Sequence, residues 1–160
     1  NIAGNDRQRA RIAAYRDRLT AAGANGADRI FATSLNMRGG AASINRILDL
    51  HPEVTAVVCN GDIYALGAMS ACRKRGLAVP ADISIVGCDD FDFAELLWPP
   101  LTTIAVPAGE MGKISAEELW QAISGRRPAK SKRMDAKLTI RGSTAPPRTR
   151  PGDRRESETS

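Results

Sequence analysis

The 160-residue chain is long enough for one compact domain or for a piece of a larger one. Hydrophobic residues make up 42% and charged residues 26%, which excludes disordered and fibrous classes, and aromatics at 4% leave the core to Ala, Val, Ile and Leu. Residues 1–125 carry 12 Lys and Arg against 14 Asp and Glu, and residues 126–160 carry 11 against 4, so the formal charge of +5 comes from the C-terminal end and marks no nucleic-acid-binding face.

An Asn-Asp pair suited to capping opens a helix predicted over residues 5–22, with Ile12, Tyr15 and Leu19 at helical spacing and Gly23 as its stop. RIFAT (29–33) is predicted as a short strand. Gly39–Leu50 is predicted as a second helix, with Ile44, Ile47 and Leu48 on one face. VTAVVCN (54–60) is a run too apolar to alternate, expected as a parallel strand covered on both faces. Ile63–Arg75 follows as a helix with Ala65, Leu66 and Met69 inward, closed by Gly76, and ISIVGC (83–88) is the next buried strand. A loop rich in Asp and aromatics (89–98) leads through Pro-Pro to the strand LTTIAV (101–106). Residues 108–124 are a third long amphipathic helix, and KLTIRGS (137–143) is a last strand. Residues 126–137 read as a polar, basic linker, and the tail 145–160 is expected to be disordered.

Strands alternating with helices argue for an α/β fold, an open parallel sheet flanked by helices. Ligands of such sheets sit outside the carboxyl ends of the strands. That rule singles out Asn60-Gly61-Asp62, Cys88-Asp89-Asp90 and Ala105-Val106-Pro107. Asp62 begins a helix, so an N-terminal charge explains it as readily as a ligand contact does. Asp89 and Asp90 close a buried strand, where a carboxylate accepts two hydroxyl hydrogen bonds from a sugar or polyol. Asp62, Asp89 and Asp90 lack the further oxygen ligands of a hard-cation site. Gly39-Gly40 lacks the Lys-Ser/Thr that completes a phosphate loop.

Cys59, Cys72 and Cys88 are an odd set with apolar neighbours, so buried reduced thiols are expected, as in a cytoplasmic protein. The single His51 sits in a turn-like HPE, and no Cys–His nucleophile is expected. Neither metal, cofactor nor enzyme activity is expected. No stretch reaches the roughly 20 apolar residues of a membrane span, and no signal-peptide pattern opens the chain.

The stretch 55–112 carries a specific set of motifs. They are Ala65-Leu66-Gly67-Ala68, the run VPADISIVGCDD (79–90) and PPLTT (99–103), with RGST (141–144) further on and RQRARIAAY (7–15) upstream. Together they closely resemble the effector-binding core of lactose-repressor-family transcriptional regulators over about nine-tenths of the chain. The resemblance implies a type I periplasmic-binding-protein-like core, two α/β lobes with a small sugar or related polyol in the cleft. Residues 1–144 would be a partial effector-binding and dimerisation core, the second lobe plus a crossing segment at 106–125. The chain does not open on Met and holds neither the helix-turn-helix nor the hinge helix of that family, so a piece of a longer protein is expected, with DNA reached only through the missing N-terminal region.

By the same resemblance Arg11 and Asp89 match residues that bind effector hydroxyls. Asn60, Gly61, Asp62, Leu35 and Val106 complete the expected site; Gly61 stands where many relatives have Asn, and Leu35 where an aromatic often stacks on the sugar. Relatives dimerise through the helix after the Asn-Asp-like pair and the loop after the Asp-Asp pair, which here places Ile63, Leu66, Met69, Cys72, Phe93, Leu97 and Trp98 at a homodimer interface. The apolar stripe Met111, Ile114 and Leu119 on the crossing helix is expected to lack a partner. The function implied is the sensory domain of a repressor; the alternative is the solute-binding protein of a sugar ABC transporter, a core of the same fold. Free thiols and the VPADISIVGCDD wording favour the regulator.

Overall fold

Two helices set the architecture by how closely they approach. In the computed structural model, which describes residues 6–23, 29–126 and 132–148, helix α1 spans Asp6–Ala21 and α2 spans Met37–Leu50. Asn36 caps α2, its Oδ1 accepting from Gly39 N at 2.8 Å. Strand β1 (Ala56–Val58) leads into helix α3 (Asp62–Lys74), which packs along α2. The contact is backbone against backbone. A Cβ on Gly40 would collide with Tyr64 O and lie 2.8 Å from Tyr64 Cα, and one on Gly67 would collide with Met37 O. The Gly39-Gly40 pair, weighed above as a phosphate loop, therefore lies inside α2 and serves helix packing.

Strand β2 (Ser84–Asp89), the one-turn helix α4 (Phe93–Leu96), strand β3 (Thr102–Ala105), helix α5 (Ala108–Ile123) and strand β4 (Lys137–Thr139) complete the order. The sheet runs β1-β2-β3-β4. Strands β1, β2 and β3 are parallel, with Val58 opposite Val86 and Val86 opposite Thr102. The all-parallel expectation fails at one edge only: β4 is antiparallel to β3, with Thr139 opposite Thr103. Ile44, Leu48, Ala65, Ala68, Cys72, Ile83, Ile85 and Leu101 form the buried core between α2, α3 and the sheet.

The core is one-sided. Val57 packs into it while Val58, on the opposite face by strand alternation, is 59% exposed. The expectation that this strand is covered on both faces thus fails, because no described side chain of α1 or α5 is buried. On α5, Met111, Leu119, Trp120 and Ile123 are exposed and Ile114 is half-buried. RIFAT also departs from its predicted form: residues 29–33 join no strand. Side chains hold the segment instead, with Phe31 edge-on to His51 at 6.1 Å, Arg46 over its ring at 5.7 Å, and Arg29 paired with Glu53 at 3.3 Å.

The last described segment closes the sheet. Ser143 is fully buried where β2 and β3 begin; its Oγ donates to Ile85 O at 2.6 Å and accepts from Thr102 N at 2.8 Å. Ile85 N donates to Ser143 O at 2.9 Å. KLTIRGS is thus a ladder only over 137–139, and beyond Ile140 it becomes a wedge. Residues 127–131 of the linker and 149–160 of the tail lie outside the described residues. Residues 132–136 carry no regular structure, while Ala145 bonds back to Ser84 Oγ at 3.1 Å.

Gly67→Ala should destabilise the fold by about 1–3 kcal/mol, the usual cost of an added methyl in a filled contact. Gly109→Ala on α5, where a Cβ meets nothing within 4 Å, should be neutral or stabilising. Urea unfolding of the two variants reads the difference as a shift in midpoint at constant slope.

Candidate functional site

The three parallel strands end on the same edge of the sheet, and their following turns carry the polar residues. β1 leads through Asn60 and Gly61 into Asp62, β2 breaks at Asp89-Asp90, and β3 is followed by Val106 and Pro107. The end of β2 is bent into left-handed backbone, with φ of 110° at Asp89 and 55° at Asp90. Asp tolerates this region better than most residues, yet each such residue costs on the order of 1–3 kcal/mol and persists only where its surroundings enforce it.

Two groups enforce it. Asp62 is fully buried, accepting from Thr103 Oγ1 at 2.6 Å through Oδ1 and from Phe91 N at 2.9 Å through Oδ2. One carboxylate thereby ties the start of α3 to β3 and to the residue just past the bend. Gly87 makes room for it, since a Cβ there would collide with Asp62 Oδ1. On the other side Arg141 Nη1 lies 2.8 Å from Asp90 Oδ1 and donates to Leu101 O at 2.9 Å.

Arg11 reaches the strand ends from α1, its Nη1 donating to Asn60 Oδ1 at 2.5 Å. A Cβ on Gly61 would lie 3.4 Å from Asp89 Oδ2 and 3.3 Å from Tyr64 Cδ2, so bare backbone there lets carboxylate and ring share one corner. Partial burial pushes the Asp89 carboxyl above its ordinary range and the Asp62 charge adds to this, while Arg11 and a Cys88 thiol hydrogen bond oppose it. Burial, then the Asp89 charge, also raises the Tyr64 hydroxyl. Cys59, Cys72 and Cys88 are free and buried; burial, with smaller contributions from Cys72 and Asp62, pushes the Cys59 thiol up to about 12. Thiols held protonated in this way are poor nucleophiles. Among the described residues no three His, Cys, Asp or Glu side chains group as metal ligands.

Arg11, Asn60, Gly61 and Asp89 are thus brought together. Val106 is half-buried at the end of β3, and Leu35 stands 69% exposed on the turn before α2. Asp62, expected as a direct contact, is instead sealed in with both oxygens engaged. Tyr64 was missed; its one sequence cue is a helical spacing of three from Gly61, which an apolar reading of α3 hides. Guanidinium and amide groups beside a carboxylate suit vicinal hydroxyls, each of which both donates and accepts.

A second surface lies along α3 and the 91–98 segment. Leu66, Met69, Leu77, Val79, Leu97 and Trp98 line an open groove of about 620 Å³. Trp98 is 91% exposed, Leu96 is exposed, and Phe91 stacks on Phe93 at 5.8 Å; Ile63, Phe93 and Leu97 are half-buried. Cys72, expected on this surface, lies fully buried in the core instead, because it faces the sheet from α3.

The raised carboxyl at position 89 yields a stability test. Above that pKa the folded chain holds a charge the unfolded chain carries more easily, so Asp89→Asn should melt at or above the wild-type temperature at pH 7. Asn keeps the left-handed backbone available. The advantage should vanish as pH falls below the unfolded carboxyl value, where both side chains are neutral; paired thermal melts at pH 7 and pH 3.5 check it.

Comparison with known proteins agrees with the fold. The family model described as the periplasmic binding protein-like domain matches residues 2–144. The HTH-type transcriptional repressor CytR of Escherichia coli (strain K12) is 42% identical over 106 residues, which cover 66% of this chain and 31% of that protein. The transcription regulator GntR from Chromobacterium violaceum superposes with a TM-score of 0.80 at 34% identity, covering 88% of this chain and 53% of that one. A LacI family transcriptional regulator from Enterococcus faecium, solved with bound ribose, gives a TM-score of 0.79 at 31% identity over 88% of this chain and 52% of that one. The chain thus spans about a third of that curated relative and half of those solved structures. With a family match over nearly its whole length and regulators as its relatives, the chain belongs to the periplasmic binding protein-like domain family, in the form found in LacI-family transcriptional regulators.

Proposed function

We propose that this chain is the ligand-sensing and dimerisation part of a cytoplasmic transcriptional repressor, and that its effector is a small sugar or related polyol. The observation that carries the reading is the convergence of Arg11, Asn60 and Asp89 at the strand ends. Donors and an acceptor fixed side by side recognise neighbouring hydroxyls through charge-assisted hydrogen bonds. Gly61 beside Asp89, Val106 after β3 and Leu35 before α2 are assigned to the same site. A regulator structurally similar to this chain holds ribose, which makes ribose the first probe. DNA is reached through a helix-turn-helix region of the complete protein, and effector binding alters its affinity by favouring one arrangement of the core. The solute-binding alternative finds less support, since the relatives described above are regulators. Buried thiols held protonated support a binding role over an enzymatic one.

Calorimetry of the complete protein with ribose should show binding, and Arg11→Ala and Asp89→Ala should each weaken it about tenfold to a hundredfold, as expected for losing one charged hydrogen-bonding partner. Unchanged affinity in both variants would overturn the site assignment.

The homodimer is proposed through the groove of α3 and the 91–98 segment. Aromatic side chains exposed beside an apolar groove are where interface energy concentrates. Trp98 is 91% exposed, and Trp98→Ala should shift the complete protein from dimer towards monomer in sedimentation velocity. A wild-type protein that is monomeric at micromolar concentration sinks this interface.

A further inference from the structure

The bend at Asp89 has a dedicated support that makes no direct contact with solvent. Asp62 is fully buried, and its two oxygens are spent on Thr103 Oγ1 and Phe91 N. Phe91 follows directly on the two left-handed residues, so its amide marks where the chain leaves the bend. The space for the carboxylate exists because position 87 is glycine. Nothing about the sheet itself demands this: a buried charge is costly unless its hydrogen bonds serve something that would otherwise relax. What would relax is the left-handed pair, whose ordinary fate is a smooth continuation of the strand.

We propose that Asp62 is the positioning residue of the effector site, holding Asp89 at the mouth of the strand ends by clamping the Phe91 amide to β3 through Thr103. The inference rests on the effector reading above. It also assigns a common origin to the two surfaces, because the 91–98 segment that borders the groove starts at the same clamped amide. A ligand that moves Asp89 pulls on this clamp, and so does a partner that moves Phe91. The groups facing Asp89 are Arg11 from α1, Asp62 and Tyr64 from α3, and Cys88 from β2.

The test is read on the 160-residue chain without ligand, so its failure is distinct from failure of the effector reading. Three variants are needed: Asp62→Ala, Asp62→Asn and Thr103→Val. Asn keeps an acceptor for Phe91 N, and its amide can donate to the Thr103 hydroxyl, which then accepts. Hydrogen exchange at the Phe91 amide should therefore accelerate by at least about tenfold in Asp62→Ala, the change expected for losing one bond to a charged acceptor, and by less in Asp62→Asn. Thr103→Val, nearly the same shape, should accelerate it to an intermediate degree. Carbon NMR titration of the Asp89 carboxyl should give a lower midpoint in Asp62→Asn than in wild type, since a neighbouring negative charge is gone. Thr103→Val keeps the Asp62 charge, so a shifted Asp89 midpoint in that variant reports displacement of Asp89 itself, and a purely structural Asp62 would leave it unmoved. If Phe91 exchange is unchanged in Asp62→Ala and Thr103→Val, or the Asp89 midpoint does not move in Thr103→Val, the proposal is wrong. Should Asp62→Ala fail to fold, the other two variants decide it.

Discussion

A single buried carboxylate organises the strand-end edge of this protein. Asp62 stands where β1 becomes α3, touches β3 through Thr103 and the end of β2 through Phe91, and is accommodated by Gly87. Three strand ends are thereby referred to one atom group. Because ionised oxygens in a dry site cannot be left unpaired, the identities at positions 62, 87, 91 and 103 constrain one another. The bend at Asp89-Asp90 is a consequence of this arrangement and of the Arg141 pair on its far side.

Around that edge the protein divides into a tightly and a loosely held part. Close approach of α2 and α3, possible because Gly40 and Gly67 bring no side chain to the crossing, builds a core on one face of the sheet. Helices α1 and α5 bury no described side chain. The candidate site draws on both parts: Asn60 and Asp89 stand at the strand ends, whereas Arg11 rides on α1 and meets Asn60 across a side-chain hydrogen bond. Binding energy spent on Arg11 therefore also positions a helix that its own packing hardly fixes.

Much of this was legible in the sequence, for reasons that differ by element. The buried strand at 83–88 and the helix at 63–75 were visible because their apolar patterns are dictated by the core they now form. The strand-end carboxylates stood out because a charge closing an apolar strand needs an explanation. What escaped was set by partners rather than by pattern. RIFAT has strand composition but joins no strand, Val58 is as apolar as Val57 yet faces outward, and β4 reverses direction without a local cue. Asp62 and Cys72 show the same limit at single residues, since a position on a helix does not say which neighbour consumes its polar atoms or which layer covers it.

The Ser143 wedge bears on how the chain is made. Ser143 lies 58 residues beyond Ile85 and 41 beyond Thr102, the two strands it joins. A ribosome delivers β1, α3, β2 and β3 well before this serine exists. Until it emerges, Ile85 N and O and Thr102 N lack the partners they have in the finished fold, and buried backbone groups in that state favour water over packing. Ser143 therefore locks the sheet only after its parallel strands have been made, and a nascent chain halted before residue 143 leaves the Ile85 and Thr102 backbone groups open at the start of β2 and β3 to proteases and to other strands.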